Sequence, residues 1–263
     1  MIVDSFDDKS EAKINPKIRE NRMKCDVCII IFSYIIEEYI LENFDCKKVG
    51  ELKSVTLLNP VYSFEYKGRK IIFYKTHVGA PATVGFIEDI TEQFDVKDFV
   101  LFGGSGCLDK EIAHGKVIVP TEAYRDEGTS YHYVKPADYI KIKNSDVVAN
   151  FMKENNIPYI EGKTWTTDAF FRETINNFNK RKAEGCISVE MESAAAQAVC
   201  DFRGLNLYCF FTSGDLLDAP VWDDRKKNEE LAGTQHDASH FDIALELAVS
   251  LKKEWLIWNI LKN

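Results

Sequence analysis

The sequence has no apolar stretch long enough to cross a lipid bilayer. A spanning helix needs roughly 18 consecutive apolar residues, and the longest candidate, from Val27 to Ile36, is interrupted by Ser33. The first residues, MIVDSFDDKSEAK, also lack the basic and apolar regions of a signal peptide. We therefore expect a cytoplasmic protein that does not act at a membrane.

The chain also lacks the excess of basic residues that is typical of nucleic-acid-binding proteins. Its 33 Lys and Arg are outnumbered by 42 Asp and Glu, which gives a formal net charge of −9. Binding to a phosphate backbone is therefore not expected. With 45% hydrophobic and 12% aromatic residues, the composition is that of a globular protein and not of a disordered one.

The seven cysteines show no disulfide or metal pattern. Their number is odd and most lie in apolar runs, as is typical of reduced, buried thiols in a cytosolic protein. Cys25 and Cys28 have the C-x-x-C spacing of redox and zinc sites, but no second pair accompanies them and an apolar run follows. We expect no metal.

Segments with strand and helix periodicity alternate along the chain, which indicates an α/β fold with a mainly parallel sheet. Strands are predicted at 69–74, 98–102, 116–119 and 207–212, and helices at 83–94, 190–203 and 241–261. No repeat and no linker rich in Pro, Gly or Ser divides the sequence. We predict a single domain over residues 1–263, with a strand-rich insertion around 52–66.

Four polar segments follow predicted strands, where ligands of open α/β sheets bind. Gly103–Gly106 would let a ligand approach the backbone closely, although a plain tight turn is an alternative. Neither GxGxxG nor a P-loop is present, so nucleoside triphosphate binding is not indicated. The other three segments are Arg125–Tyr133, Ser188–Ala196 and Thr212–Asp215.

Carboxylates in two of these segments are candidates for sugar binding and acid catalysis. Glu190 and Glu192 lie at the start of an alanine-rich helix, where they would bind the diol of a sugar or simply favour the positive end of the helix dipole. Asp215 follows a buried strand, so poor solvation would raise its pKa and allow it to donate a proton. A structural cap is the alternative for Asp215.

In this order the segments resemble the nucleoside phosphorylase family, which includes uridine phosphorylase and the hexameric bacterial purine nucleoside phosphorylases. The resemblance extends from about Lys70 to about Arg225. It is carried by Val189-Glu190-Met191-Glu192, Lys116-Val117-Ile118-Val119-Pro120, Arg125–Tyr133 and Thr164–Thr174. It implies an α/β/α layered fold with a mainly parallel, mixed central sheet, and cleavage of a nucleoside by phosphate to the free base and ribose 1-phosphate.

The resemblance also implies a role for each matching position. Asp215 would donate a proton to N7 of a leaving purine, assisted by Arg225. The other positions divide by the part of the substrate they would contact: Glu190, Met191 and Glu192 the ribose; Phe170, Phe171, Ser105 and Val189 the base; Gly103, Gly104 and Gly106 the phosphate.

The phosphate site departs from the family pattern. Leu101 stands where the family has an arginine, Gly104 where it usually has Ser or Thr, and residues 31–36 replace a glycine-aspartate-proline turn and an arginine. A bidentate arginine typically contributes about 1.5–3 kcal/mol for each charged hydrogen bond. Without these groups, the sequence is compatible with either phosphate or water as the nucleophile.

Three functions fit this departure. In a phosphorylase, the glycine backbone would hold phosphate with the help of Lys75, His77 or Arg125. In a nucleosidase, water would replace phosphate, and Glu37 would activate it. In a nucleoside-binding protein without catalysis, the retained acid Asp215 would have no purpose.

The resemblance implies no cofactor beyond phosphate as co-substrate, and assembly as a homodimer or homohexamer. A histidine that family members receive from a neighbouring subunit is absent near the start of this chain, whose first histidine is His77. Asp215 favours a purine. The glutamine-arginine pair with which uridine-specific relatives recognise uracil is not evident between Phe171 and Lys180.

Overall fold

The computed structural model describes residues 2–55, 58–223 and 232–251. In this part of the chain, a ten-stranded mixed sheet lies between two layers of helices. One buried cluster packs beneath the helices at 80–93 and 193–203, and a second beneath those at 34–43, 145–154 and 232–250. The predicted α/β/α layered fold is confirmed.

The strands are numbered in chain order. They are β1 Met23–Lys24, β2 Val27–Ile31, β3 Lys47–Lys53, β4 Leu58–Tyr66, β5 Arg69–Lys75, β6 Phe94–Asp95, β7 Asp98–Cys107, β8 Val117–Asp126, β9 Tyr139–Lys141, β10 Tyr159–Thr167, β11 Cys186–Glu190 and β12 Asn206–Leu216. β2 is apolar and buried throughout, and so are the central residues 71–74 of β5, as expected for a sheet covered on both faces.

The helices are α1 Tyr34–Asn43, α2 Ala80–Gln93, α3 Lys110–Ala113, α4 Ser145–Glu154, α5 Ile175–Ala183, α6 Ser193–Arg203 and α7 Ala232–Ser250. Ser33 caps α1 by accepting the backbone N–H groups of Ile35 and Ile36. Gly204 ends α6 in the left-handed conformation, as its position in the sequence predicts. Within the described residues, no helix is both long and apolar enough to span a membrane.

The strand directions place several strand ends at one edge of the sheet. The order is β11-β10-β8-β12-β7-β2-β5-β4-β3, and β5, β2, β7 and β12 run parallel. β8 runs antiparallel to β12, so the amino end of β8 lies beside the carboxyl end of β12. β11 also pairs with β7, which closes β7, β12, β8, β10 and β11 into a ring.

Three predicted elements are corrected by the structure. Residues 190–192 precede α6, because Glu190 ends the fully buried strand β11 and α6 begins at Ser193. The segment Gly103–Gly106 is not a turn, since β7 continues through it in register with β12. The predicted insertion at 52–66 contains the end of β3 and all of β4, and these two strands extend the main sheet next to β5.

The last predicted helix, 241–261, corresponds in part to α7, which begins earlier, at Ala232. Residues 252–261 of that prediction lie outside the described residues.

Candidate functional site

One pocket of about 1560 Å³ brings most of the predicted site residues together at the carboxyl ends of β7, β11 and β12. The sugar-binding pair Met191 and Glu192 and the candidate acid Asp215 line this same cavity. The predicted residues in its wall are Gly103, Gly104, Ser105, Gly106, Phe170, Val189, Glu190, Met191, Glu192 and Asp215.

The glycine segment of β7 forms one wall of the pocket. A Cβ atom at Gly106 would lie 2.5 Å from Leu217 Cδ1 and 2.8 Å from Val189 Cγ1, so any larger residue would have to displace these side chains. The pairing of β7 with β2 reaches Leu101 and does not extend to the glycines among the described strands. β11 pairs with Gly106 and Cys107, so the strand edge at 103–105 is the part available to a ligand on that side.

Glu190 is a structural carboxylate that holds the start of α6. Its Oε2 accepts the backbone N–H groups of Glu192 at 2.8 Å and Ser193 at 2.7 Å. Its Oε1 accepts the hydroxyls of Ser193 at 2.7 Å and Thr166 at 2.5 Å. Burial raises the pKa of Glu190, and these hydrogen bonds oppose the shift. Four donors occupy this carboxylate, so it positions the neighbouring residues.

Glu192 presents a carboxylate to the pocket from the N-cap position of α6. Its Oε1 accepts the backbone N–H of Gly79 at 2.6 Å, and its Oε2 accepts that of Met191 at 3.2 Å. Burial and the nearby charge of Glu190 raise its pKa. These two bonds fix the side chain, and the remaining lone pairs can accept hydrogen bonds from hydroxyl groups of a ligand.

Asp215 lies opposite a second carboxyl, Glu173, that sequence reasoning missed as a site residue. Trp222 Nε1 donates to Asp215 Oδ2 at 2.7 Å and so orients the acid. Glu173 also lines the pocket, and burial together with the charge of Asp215 raises its pKa to about 7. The only sequence signal for Glu173 was its place in the segment Thr164–Thr174.

The two neighbouring phenylalanines differ in placement. Phe170 lines the pocket with about half of its surface exposed (51%), whereas Phe171 is 86% exposed and does not contribute to the wall. Their ring centroids are 4.1 Å apart. The structure thus places Phe170 in the pocket wall and Phe171 outside it.

Arg125, a candidate for phosphate binding, holds a loop instead. Its side chain is buried, with Nε donating to Ser130 Oγ at 2.7 Å and Nη1 to the carbonyl of Lys135 at 2.8 Å. The guanidinium also lies 4.1 Å from the centroid of the Tyr131 ring. These contacts account for the polar segment Arg125–Tyr133 without a ligand.

The other substitutes for the missing anion-binding groups also lie outside the pocket wall. Lys75 Nζ forms an ion pair with Glu37, and neither residue lines the pocket. Lys75 is therefore not a phosphate ligand in this pocket. The carboxylate of Glu37, predicted to activate water, also lies outside the wall. His77 is exposed away from the lining. Arg225, predicted to assist Asp215, lies outside the described residues.

Three basic residues that sequence reasoning did not single out do line the pocket. His114 and Lys116 come from the loop between α3 and β8, and His240 comes from α7. We call these three residues the basic wall. In the described lining, Lys116 is the only Lys and no Arg is present.

The described residues contain no group of three or more His, Cys, Asp or Glu side chains that could hold a metal ion. Cys25 and Cys28 are buried, and burial raises the pKa of both thiols, that of Cys25 to about 11. Protonated thiols are poor metal ligands.

Comparison with known proteins gives the same family as the sequence motifs. The pattern of the Phosphorylase superfamily matches residues 35–246. A DeoD-type purine nucleoside phosphorylase of Exiguobacterium sibiricum is 25% identical over 222 residues, covering 81% of this chain and 89% of that protein. One from Alkaliphilus metalliredigens is 27% identical over 190 residues, covering 69% of this chain and 77% of that protein.

A DeoD-type 2 purine nucleoside phosphorylase of Aliivibrio fischeri is 22% identical over 222 residues, with the same coverage of 81% and 89%. These relatives confirm the resemblance to the nucleoside phosphorylases. Since the superfamily pattern extends over most of the sequence, the chain belongs to the phosphorylase superfamily.

Proposed function

We propose that the protein cleaves the N-glycosidic bond of a purine nucleoside with phosphate and releases the free base and ribose 1-phosphate. The observation that carries this proposal is the single pocket in which Met191 and Glu192 lie together with Asp215. The relatives named above are purine nucleoside phosphorylases, which supports the choice of a purine.

The carboxyl groups fit the charge that develops during cleavage. As the C1′–N9 bond breaks, the sugar becomes positive and the base becomes negative. Asp215 would protonate N7 of the base, and the bonding electrons leave with the purine. Glu173 supports this step as a second carboxyl of the pocket, because burial and the negative charge of Asp215 raise the pKa of Glu173 to about 7 and favour a proton on it.

The sugar would bind on the other side of the bond. Glu192 is held by the backbone N–H groups of Gly79 and Met191 and would accept hydrogen bonds from the 2′- and 3′-hydroxyls. Its negative charge would also favour the positive sugar of the transition state. Phe170 would stack against the base.

Hydrolysis is the second candidate, favoured by the loss of the family's anion-binding groups. Leu101 is fully buried in the apolar core, so nothing at that position can contact phosphate. A hydrolase would attack C1′ with water and release free ribose. The ion pair of Glu37 with Lys75 argues against Glu37 as the base in that reaction.

A product assay tests the proposal. Adenosine, inosine, guanosine and uridine are incubated with the protein, with and without phosphate, and base, ribose and ribose 1-phosphate are quantified. We expect a purine base and ribose 1-phosphate in the presence of phosphate only. Free ribose at equal rates in both conditions would show a hydrolase, and no product from any nucleoside would contradict both reactions.

Assembly as a homodimer or homohexamer and a cytoplasmic location are part of this proposal. Val78 and Phe171 are exposed apolar side chains. Val78 precedes Gly79, which donates its N–H to Glu192, and Phe171 follows Phe170, so a second copy that covered them would lie beside the pocket. The seven free cysteines suit a reducing compartment. Sedimentation equilibrium measures the number of subunits directly.

A further inference from the structure

The pocket wall carries groups of opposite charge. Its carboxyl side chains are Glu173, Glu190, Glu192, Asp215 and Asp223, and its basic side chains are those of the basic wall. Glu190 is occupied by donors within the protein. The other carboxyls suit a sugar and a base, and none of them attracts an anion. The basic wall, in contrast, has no negative charge to neutralise on a nucleoside, which is itself neutral.

We propose that the basic wall, with Lys116 as its principal cation, binds a phosphate group. Two sources of this group share the same chemistry: free inorganic phosphate, and a phosphate ester carried by the nucleoside itself. This proposal extends the proposed function and rests on it for the identity of the reaction. The binding of the anion does not depend on that function.

Sheet register brings the basic wall next to the glycine strand. Thr212 of β12 pairs with Gly104 of β7 on one side and with Val117 of β8 on the other. Neighbouring strands lie about 4.8 Å apart, so the backbone of Val117 is roughly 10 Å from that of Gly104. Lys116 stands one residue before Val117, beside the carboxyl-terminal half of β12. A ligand against Gly104 is therefore within reach of its side chain.

Among the candidate cations that the structure describes, Lys116 is the one left in the pocket wall. Lys75 is paired with Glu37, and the Arg125 guanidinium is bonded within its own loop. Lys116 is half-buried in the pocket wall and forms no salt bridge with any other described residue. A lysine ammonium is a compact charge with three N–H donors, which suits the oxygens of phosphate.

The size of the pocket allows a phosphate group as well as a nucleoside. Pockets for small ligands usually have volumes of about 300–1,000 Å³, and this one has about 1560 Å³. His114 and His240 add two imidazole groups to the basic wall beside Lys116. The basic wall would thus replace the arginine and serine groups that Leu101 and Gly104 no longer supply.

The test compares Lys116→Met with wild type and with Lys153→Met, which removes the same charge from an exposed position on α4. Calorimetry measures the binding of inorganic phosphate, adenosine and adenosine 5′-monophosphate to each protein. We expect Lys116→Met to weaken binding of the phosphate-bearing probe at least tenfold, with adenosine binding changed less than twofold. Lys116→Arg should restore part of the affinity, and Lys153→Met should match wild type.

The probes distinguish the two sources. If inorganic phosphate binds to wild type and this binding is lost in Lys116→Met, the site holds the free co-substrate. If adenosine 5′-monophosphate binds at least tenfold more tightly than adenosine, and this advantage disappears in Lys116→Met, the site holds the ester of a nucleotide. Either result supports the proposal.

The proposal is overturned if phosphate and nucleotide bind to Lys116→Met as tightly as to wild type, or if wild type binds neither while binding adenosine. Thermal unfolding of all four proteins shows whether each variant is folded. Loss of phosphate binding in Lys116→Met without any nucleoside cleavage by wild type would uphold the anion site and contradict the proposed reaction, so the two conclusions fail separately.

Discussion

At the scale of single residues, Glu173 shows how a distant part of the chain sets the protonation of a side chain. It follows the pocket residue Phe170 and is half-buried. Burial and the charge of Asp215 raise its pKa from 4.5 to about 7. A raised carboxyl pKa means that the folded protein holds this proton more tightly than the unfolded chain does.

We predict that Glu173→Gln stabilises the protein at alkaline pH. Below pH 4.5 the carboxyl is protonated in both states, so the substitution has little effect through ionisation. Between pH 4.5 and 7 the unfolded chain ionises first, and wild type loses stability as the pH rises. Solvent screens a half-buried carboxyl, so we expect a gain of about 1–2 kcal/mol at pH 8.

Urea unfolding at pH 4.5, 6 and 8 measures this effect, with Glu154→Gln on the exposed end of α4 as the control. The difference in unfolding free energy between Glu154→Gln and wild type should be the same at all three pH values. An equal effect of Glu173→Gln at all three pH values would disprove the raised pKa.

At the scale of secondary-structure elements, the junction between β11 and α6 shapes the sugar-binding part of the pocket. Glu190 ends β11 and accepts the first N–H groups of α6, which have no partner within the helix. Met191 and Glu192 lie between the two elements, so their positions depend on this capped junction.

We predict that Glu190→Gln destabilises the protein by about 2–4 kcal/mol, because an amide NH₂ would face buried donors that now bind a carboxylate oxygen. The free energy of unfolding in urea measures the loss. Glu161→Gln, at an exposed position on β10, serves as the matched control and should change it by less than about 0.5 kcal/mol. A loss no larger than that of the control would contradict the capping role.

At the scale of the whole molecule, the pocket joins parts of the chain that are far apart in sequence. Its wall extends from Phe32, before α1, to Ile243 on α7 and includes strands from the centre of the sheet. A ligand in the pocket would therefore contact the sheet together with residues of α1 and α7. Such a ligand stabilises the folded state by mass action, since the unfolded chain has no pocket.

We predict that a purine nucleoside at about 100 times its Kd stabilises the protein by about 2.7 kcal/mol. For a chain of this size, this corresponds to a rise in Tm of roughly 5–10 °C. Thermal unfolding with adenosine, inosine and uridine measures the shift, and free ribose is the control. Equal shifts for uridine and the purines would contradict purine preference, and no shift with any nucleoside would contradict nucleoside binding.

The sequence alone determined the layered fold and the family. Apolar periodicity is a local property, so the central strands β5, β7 and β12 and the helices α2 and α6 were predictable to within a few residues. The segment Val189–Glu192 was recognisable because it is contiguous. The boundary at Glu190 was not, since a buried carboxylate can end a strand or begin a helix, and the choice depends on donors such as Thr166 that tertiary folding brings near.

Only the tertiary structure decided which charged groups face the pocket. In the sequence, Lys75 and Arg125 are candidate phosphate ligands, and Lys116 is not singled out. Folding pairs Lys75 with Glu37, encloses Arg125 among carbonyl groups and leaves Lys116 in the pocket wall. Electrostatic interactions act through space between residues that are remote in sequence, so local patterns cannot reveal them.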